Sequence, residues 1–67
     1  MTEGQYRVGT NFNPSSMPEV DHVKAVIAEL IDYIFDTGKD SRCNSIAATE
    51  LESAAMWAVK SFTKQPR

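Results

Sequence analysis

Apolar residues recur through the middle of the chain at helical spacing. Val20, Val23, Ile27, Leu30 and Ile34 fall at three- and four-residue steps, with Ile31 beside them, the period of one face of an α-helix. Val26, Tyr33 and Phe35 widen that stripe beyond a single seam. Upstream, Ser16-Met17-Pro18-Glu19 fits the S-x-x-E capping box, in which the Ser hydroxyl accepts from the Glu19 amide and the Glu19 side chain reaches back. Pro18 falls in the first turn, where a missing N–H costs little. Gly38 is the natural stop. A second helix, capped by Asp40 or Ser41, is predicted to run to about Thr63. Its apolar set is Ile46, Ala47, Leu51, Ala54, Ala55, Ala58, Val59 and Phe62, with Met56 and Trp57 added, and Pro66 marks its end. The residues before the first helix read as a polar lead. The expected fold class is all-α: a lead over 1–16 and a helical hairpin over 17–67.

Each predicted helix is about 30 Å long at 1.5 Å per residue. The short connection forces an antiparallel αα-hairpin. Two helices share one interface, yet both carry apolar residues on more than one face, so another chain is expected to cover the surplus. Size points the same way. A 67-residue chain is one small domain, and such domains usually need a disulfide, a metal or a partner subunit. Cys43 is the only cysteine and His22 the only histidine, which leaves no internal disulfide and no His/Cys zinc cluster. A compact homo-oligomer is the remaining staple.

The net charge of −2 argues against coating a nucleic-acid polymer, which calls for a basic balance. No apolar run has signal-peptide or membrane-span length, and a lone cysteine fits a cytoplasmic protein. Catalysis finds little support. Glu50 and Glu52 point to different helix faces, while Glu29 and Asp32 share a face but read as a solvated pair. Cys43 reads either as a thiol activated by a helix N-terminus or as a small buried apolar residue. No Gly-rich phosphate loop follows a strand, and no cofactor is expected.

Binding chemistry concentrates in the lead, where Arg7, Asn11, Phe12, Asn13 and Pro14 precede the helix start. Phe12 has two plausible roles: a hydrophobic staple over the helix start, or a platform on which a base stacks. Lys24 lies one turn into the first helix, and Arg42 lies at the start of the second, where exposed N–H groups attract anions. Single surface cations are more often plain solvated charges. Trp57 and Met56 read as core or interface.

Phe12-Asn13-Pro14-Ser15, a helix, and then Thr49-Glu50-Leu51-Glu52-Ser53-Ala54-Ala55-Met56-Trp57-Ala58-Val59-Lys60 resemble the hairpin domain of phage nucleotide sponges, the anti-CBASS and anti-Thoeris proteins. The resemblance covers most of the chain. It implies a homo-oligomer, usually a hexamer, with pockets between protomers that sequester cyclic oligonucleotide or cyclic ADP-ribose-type immune signals without cleaving them. It also implies that Phe12, Lys24 and Arg42 contact ligand, with Thr49 as a hydroxyl donor. On that reading Arg7 joins the cations at phosphate, and the Asn11 and Asn13 amides meet the bases. The alternative is an oligomeric helical module that presents its surface to a protein.

Overall fold

The computed structural model describes residues 1–64, so the Pro66 stop signal lies outside the described residues. Among them are three helices and no strand: α1 (Glu3–Val8), α2 (Pro18–Thr37) and α3 (Ser41–Thr63). The helices α2 and α3 pack together across Gly38-Lys39-Asp40, a connection short enough to require the antiparallel arrangement. No helix among the described residues is long and apolar enough to cross a membrane.

The first departure from expectation is α1, which lies within the polar lead. A T-x-x-Q capping box starts it: Thr2 Oγ1 accepts from the Gln5 N–H at 3.1 Å, and Gln5 Oε1 accepts from the Thr2 N–H at 2.9 Å. Gly9 closes it in the left-handed region at φ 71°, where glycine carries no Cβ penalty. A helix of 6 residues is too short to show a repeating apolar stripe and too short to persist without tertiary contacts. It is held instead by packing on α2. Gly4 is buried there, and its N–H donates to Asp32 Oδ1 at 2.7 Å. Asp32 is therefore the acceptor that docks α1 and not half of a solvated acidic pair.

The start of α2 also differs. The Ser16–Glu19 capping box does not form: Met17 is the N-cap, without a side-chain cap bond, and Ser16 sits at φ 53°. An N-cap residue takes extended dihedrals, which Ser16 lacks. Asn13 supplies the missing bonds. Its Oδ1 accepts from the Met17 N–H at 3.3 Å, and its Nδ2 donates to Met17 O and Asp21 Oδ1 at 2.9 Å each.

Gly38 ends α2 as expected, though for a packing reason and not a conformational one, since its φ is −72°. A Cβ there would come within 2.7 Å of Ile34 O and 2.8 Å of Asn44 Cγ. The buried Asn44 donates from Nδ2 to Gly38 O at 3.1 Å, tying the connection to α3. Asp40 caps α3, its Oδ1 accepting from the Cys43 N–H at 2.8 Å. These bonds hold the Asp40 carboxyl below its ordinary pKa, with the Cys43 amide the leading cause. The Cys43 side chain is exposed, which removes its reading as a buried apolar residue.

The core is narrow: Val20, Ala28 and Ile31 from α2 meet Ala48 and Ala55 from α3. Val23, Ile27, Ile34 and Leu51 are half-buried around it. Alanines at the crossing let the two backbones approach, at the expense of buried apolar volume. The molecule is flat, with Cα extents of 42 × 25 × 12 Å. Consequently Val26, Leu30 and Tyr33 of α2 and Ile46, Met56 and Trp57 of α3 remain exposed. The surplus apolar surface read from the sequence is present, and neither Met56 nor Trp57 belongs to the core of the chain.

Candidate functional site

Docking α1 onto α2 and α3 leaves a cleft of about 380 Å³ lined by Arg7, Val8, Phe12, Lys24, Glu52, Ala55, Met56 and Val59. That volume lies in the range of small-molecule sites, which run from roughly 300 to 1,000 Å³. Val8, Ala55, Met56 and Val59 make an apolar floor, and the polar groups converge from three directions. Arg7 comes from α1, Lys24 from α2 and Glu52 from α3.

Lys24 organises one wall. It is only 7% exposed, and a buried ammonium must be hydrogen-bonded to be tolerated. Its Nζ donates to Gly9 O at 3.0 Å and to Phe12 O. The two carbonyls are brought together by a turn in which the Phe12 N–H donates to Gly9 O at 3.0 Å. Nζ also lies 5.4 Å from the Phe12 ring centroid, within cation–π range. An ammonium carries three N–H donors, so one remains after both carbonyls are served. Phe12 does not cover the start of α2 as a staple; the residue is 70% exposed.

Arg7 is held differently. Its Nε donates to Glu3 at 2.7 Å and an Nη to Glu52 at 3.2 Å, and its guanidinium lies 5.3 Å from the Phe35 ring centroid. The bond to Glu3 leads the causes that raise the Arg7 pKa further above its already high value. These are the two ion pairs among the described residues, and both use Arg7. Arg7 is thus largely neutralised by carboxylates, whereas Lys24 has none within ion-pair distance. Lys24 is the cleft's uncompensated cation.

Of the seven residues singled out in the sequence, the fold brings Arg7, Phe12 and Lys24 into one cleft. Asn11 is exposed on the lead, and the Asn13 amide is engaged at the start of α2. Arg42 and Thr49 stand elsewhere, on exposed positions of α3. Thr49 Oγ1 donates to Ser45 O at 3.0 Å, and Thr49 lines a shallow groove with Ser45, Ile46 and Glu50. An anion approaching Arg42 at the start of α3 also meets the capping carboxylate of Asp40.

Sequence reasoning missed Glu52 as a cleft residue, because its partner Arg7 lies 45 positions away and no local pattern links them. It also missed the structural role of Asp32. The Thr2–Gln5 capping box, by contrast, was a readable signal that would have placed Arg7 on a helix.

Comparison with curated proteins and with solved structures returns no match. Comparison with protein families matches residues 3–63 to the family described as Acb2/Tad1, hairpin domain. The match runs from the first residue of α1 to the last of α3, so it takes in all three helices and every wall of the cleft. The chain belongs to the Acb2/Tad1 hairpin-domain family, the anti-CBASS and anti-Thoeris sponges that its motifs resemble.

Proposed function

We propose that this protein binds cyclic nucleotide immune second messengers and sequesters them uncleaved in the host bacterial cytoplasm, counteracting anti-phage defence. The observation that carries the reading is the convergence of Phe12, Lys24 and Arg7 on one apolar-floored cleft in a chain of this family. A base stacks on the exposed Phe12 ring, and a phosphate takes the remaining Lys24 donor through a charge-assisted bond. Arg7 contributes donors that its two carboxylates leave unused. Sequestration needs no chemistry. A tight site in excess lowers the free signal by mass action.

The protein works as a homo-oligomer, with the homohexamer as the expected form. The support is physical: Trp57 and Met56 are 64% and 67% exposed in the single chain, and a flat molecule of this size has no second layer to cover them. In the assembly a neighbouring protomer brings Arg42 and Thr49 to complete a ligand site, since α3 holds them away from the Phe12 cleft of their own chain. Asn11 and Asn13 lie on the lead beside that cleft, where Asn11 is free to meet a base edge.

Two measurements test the proposal together. Light scattering at micromolar concentration should return an oligomer, and a folded 7.5 kDa monomer would remove the assembly. Calorimetric titration with cyclic di- and trinucleotides should show saturable binding. Binding to none of them, with the oligomer intact, would favour the alternative of a protein-docking module.

A further inference from the structure

A carboxylate in an anion-binding cleft requires an explanation. Glu52 lines the same cleft as Phe12 and Lys24, and its side chain is 31% exposed. One of its oxygens, Oε2, accepts from Arg7 at 3.2 Å, and no hydrogen bond among the described residues reaches Oε1. An ionised carboxylate only accepts, and its two oxygens offer about four lone-pair sites. Glu52 therefore has acceptor capacity left over, in a cleft whose other polar side chains, Arg7 and Lys24, are donors.

We propose, resting on the cyclic-nucleotide reading above, that Glu52 is a specificity-determining residue that selects bases carrying an exocyclic amino group. With the ring stacked on Phe12 and the phosphate on Lys24, the base edge is the part of the ligand that remains to be met. Oε1 attracts an amino N–H and repels the lone pairs of a keto oxygen in the same place. Carboxylate side chains read amino groups this way in base recognition generally. A site built around one polar partner discriminates strongly because the wrong edge leaves a desolvated group unpaired.

Cyclic di-AMP and cyclic di-IMP test this directly. They share the purine frame and the charge; C6 carries an amino group in one and a keto group in the other, and N1 is correspondingly an acceptor in adenine and an N–H donor in hypoxanthine, so a preference for cyclic di-AMP reads the amino group against the N1–H. Calorimetry on the wild type should give at least tenfold tighter binding of cyclic di-AMP. In Glu52→Gln, whose amide both donates and accepts, the ratio should fall to within about threefold. A Glu52 that merely restrains Arg7 would alter the affinity of both ligands alike and leave the ratio unchanged, which overturns the proposal. Arg7→Gln is the companion variant: it loses the same ion pair but keeps the carboxylate, and should retain the preference. Circular dichroism on both variants separates loss of folding from loss of selection, and Arg7→Gln carries the test if Glu52→Gln does not fold: a preference lost there overturns the proposal. Equal wild-type affinity for the two ligands overturns the Glu52 assignment and leaves the sponge reading standing. Absence of binding to both of these and to cyclic trinucleotides overturns both.

Discussion

Replacing Gly4 by alanine sets two effects against each other, and their magnitudes decide the sign. Alanine is the better helix former by about 1 kcal/mol in a helix interior and by less at Gly4, the second residue of α1, so propensity alone makes the change at most slightly stabilising. Docking opposes it. A Cβ on Gly4 would penetrate the carbonyl of Ala28, lying within 2.8 Å of its carbon and 2.9 Å of Asp32 Oδ1. The obstruction is α2 backbone, which cannot rotate aside as a side-chain tip can. Overpacking of this kind costs about 1–3 kcal/mol. Pushing α1 away also breaks the Gly4 N–H bond to the Asp32 carboxylate, worth about 1.5–3 kcal/mol as a bond to a charged group. The net expectation is a loss of about 2–4 kcal/mol, or a melting temperature lower by roughly 8 °C or more for a domain of this size. Hydrogen exchange should localise the damage to the amides of Gln5 to Val8. Ligand affinity should fall as well, because α1 carries Arg7 and Val8 into the cleft. A Gly4→Ala protein that melts at or above the wild-type temperature, with α1 still protected, would refute the docking described here.

Phe12→Ala should cost about 1–3 kcal/mol of ligand affinity, the range for a lost base stack, with little change in melting temperature because the ring is mostly exposed. Lys24→Met strands the carbonyls of Gly9 and Phe12, and limited proteolysis should then cut between Gly9 and Ser16 faster than in the wild type. Asp40→Ala removes the α3 cap and should lower the melting temperature at neutral pH. The Asp40 carboxyl is lowered in the folded state, so its contribution is present above the ordinary aspartate pKa of about 3.9. It is lost as pH falls through the lower folded value, and thermal melts of mutant and wild type should converge there.

The long elements were legible because their signals are local. Three- and four-residue apolar spacing located α2 and α3, and Gly38 and Asp40 marked the boundary between them. What sequence could not supply was which face of each stripe wins the core. Leu30 lies on the predicted stripe but is exposed, while Lys24, a charged residue, is buried because two carbonyls of the lead satisfy it. The Ser16 capping box failed because Asn13, three residues earlier in the lead, takes the Met17 N–H, while Ser16 stands at φ 53°, outside the dihedrals a cap needs. The candidate site was half legible. Phe12, Lys24 and Arg7 converge, whereas the Glu52 contact depends on tertiary packing alone.

Capture without chemistry is separated from hydrolysis by the fate of the bound nucleotide. A cyclic trinucleotide is mixed with excess protein, the free pool is assayed, and the protein is then denatured by heat and the nucleotide chromatographed. A sequestering protein depletes the free pool in proportion to protein added and gives full recovery of the cyclic compound after heating. Linear product accumulating with time, or a free pool that does not fall, would contradict sequestration.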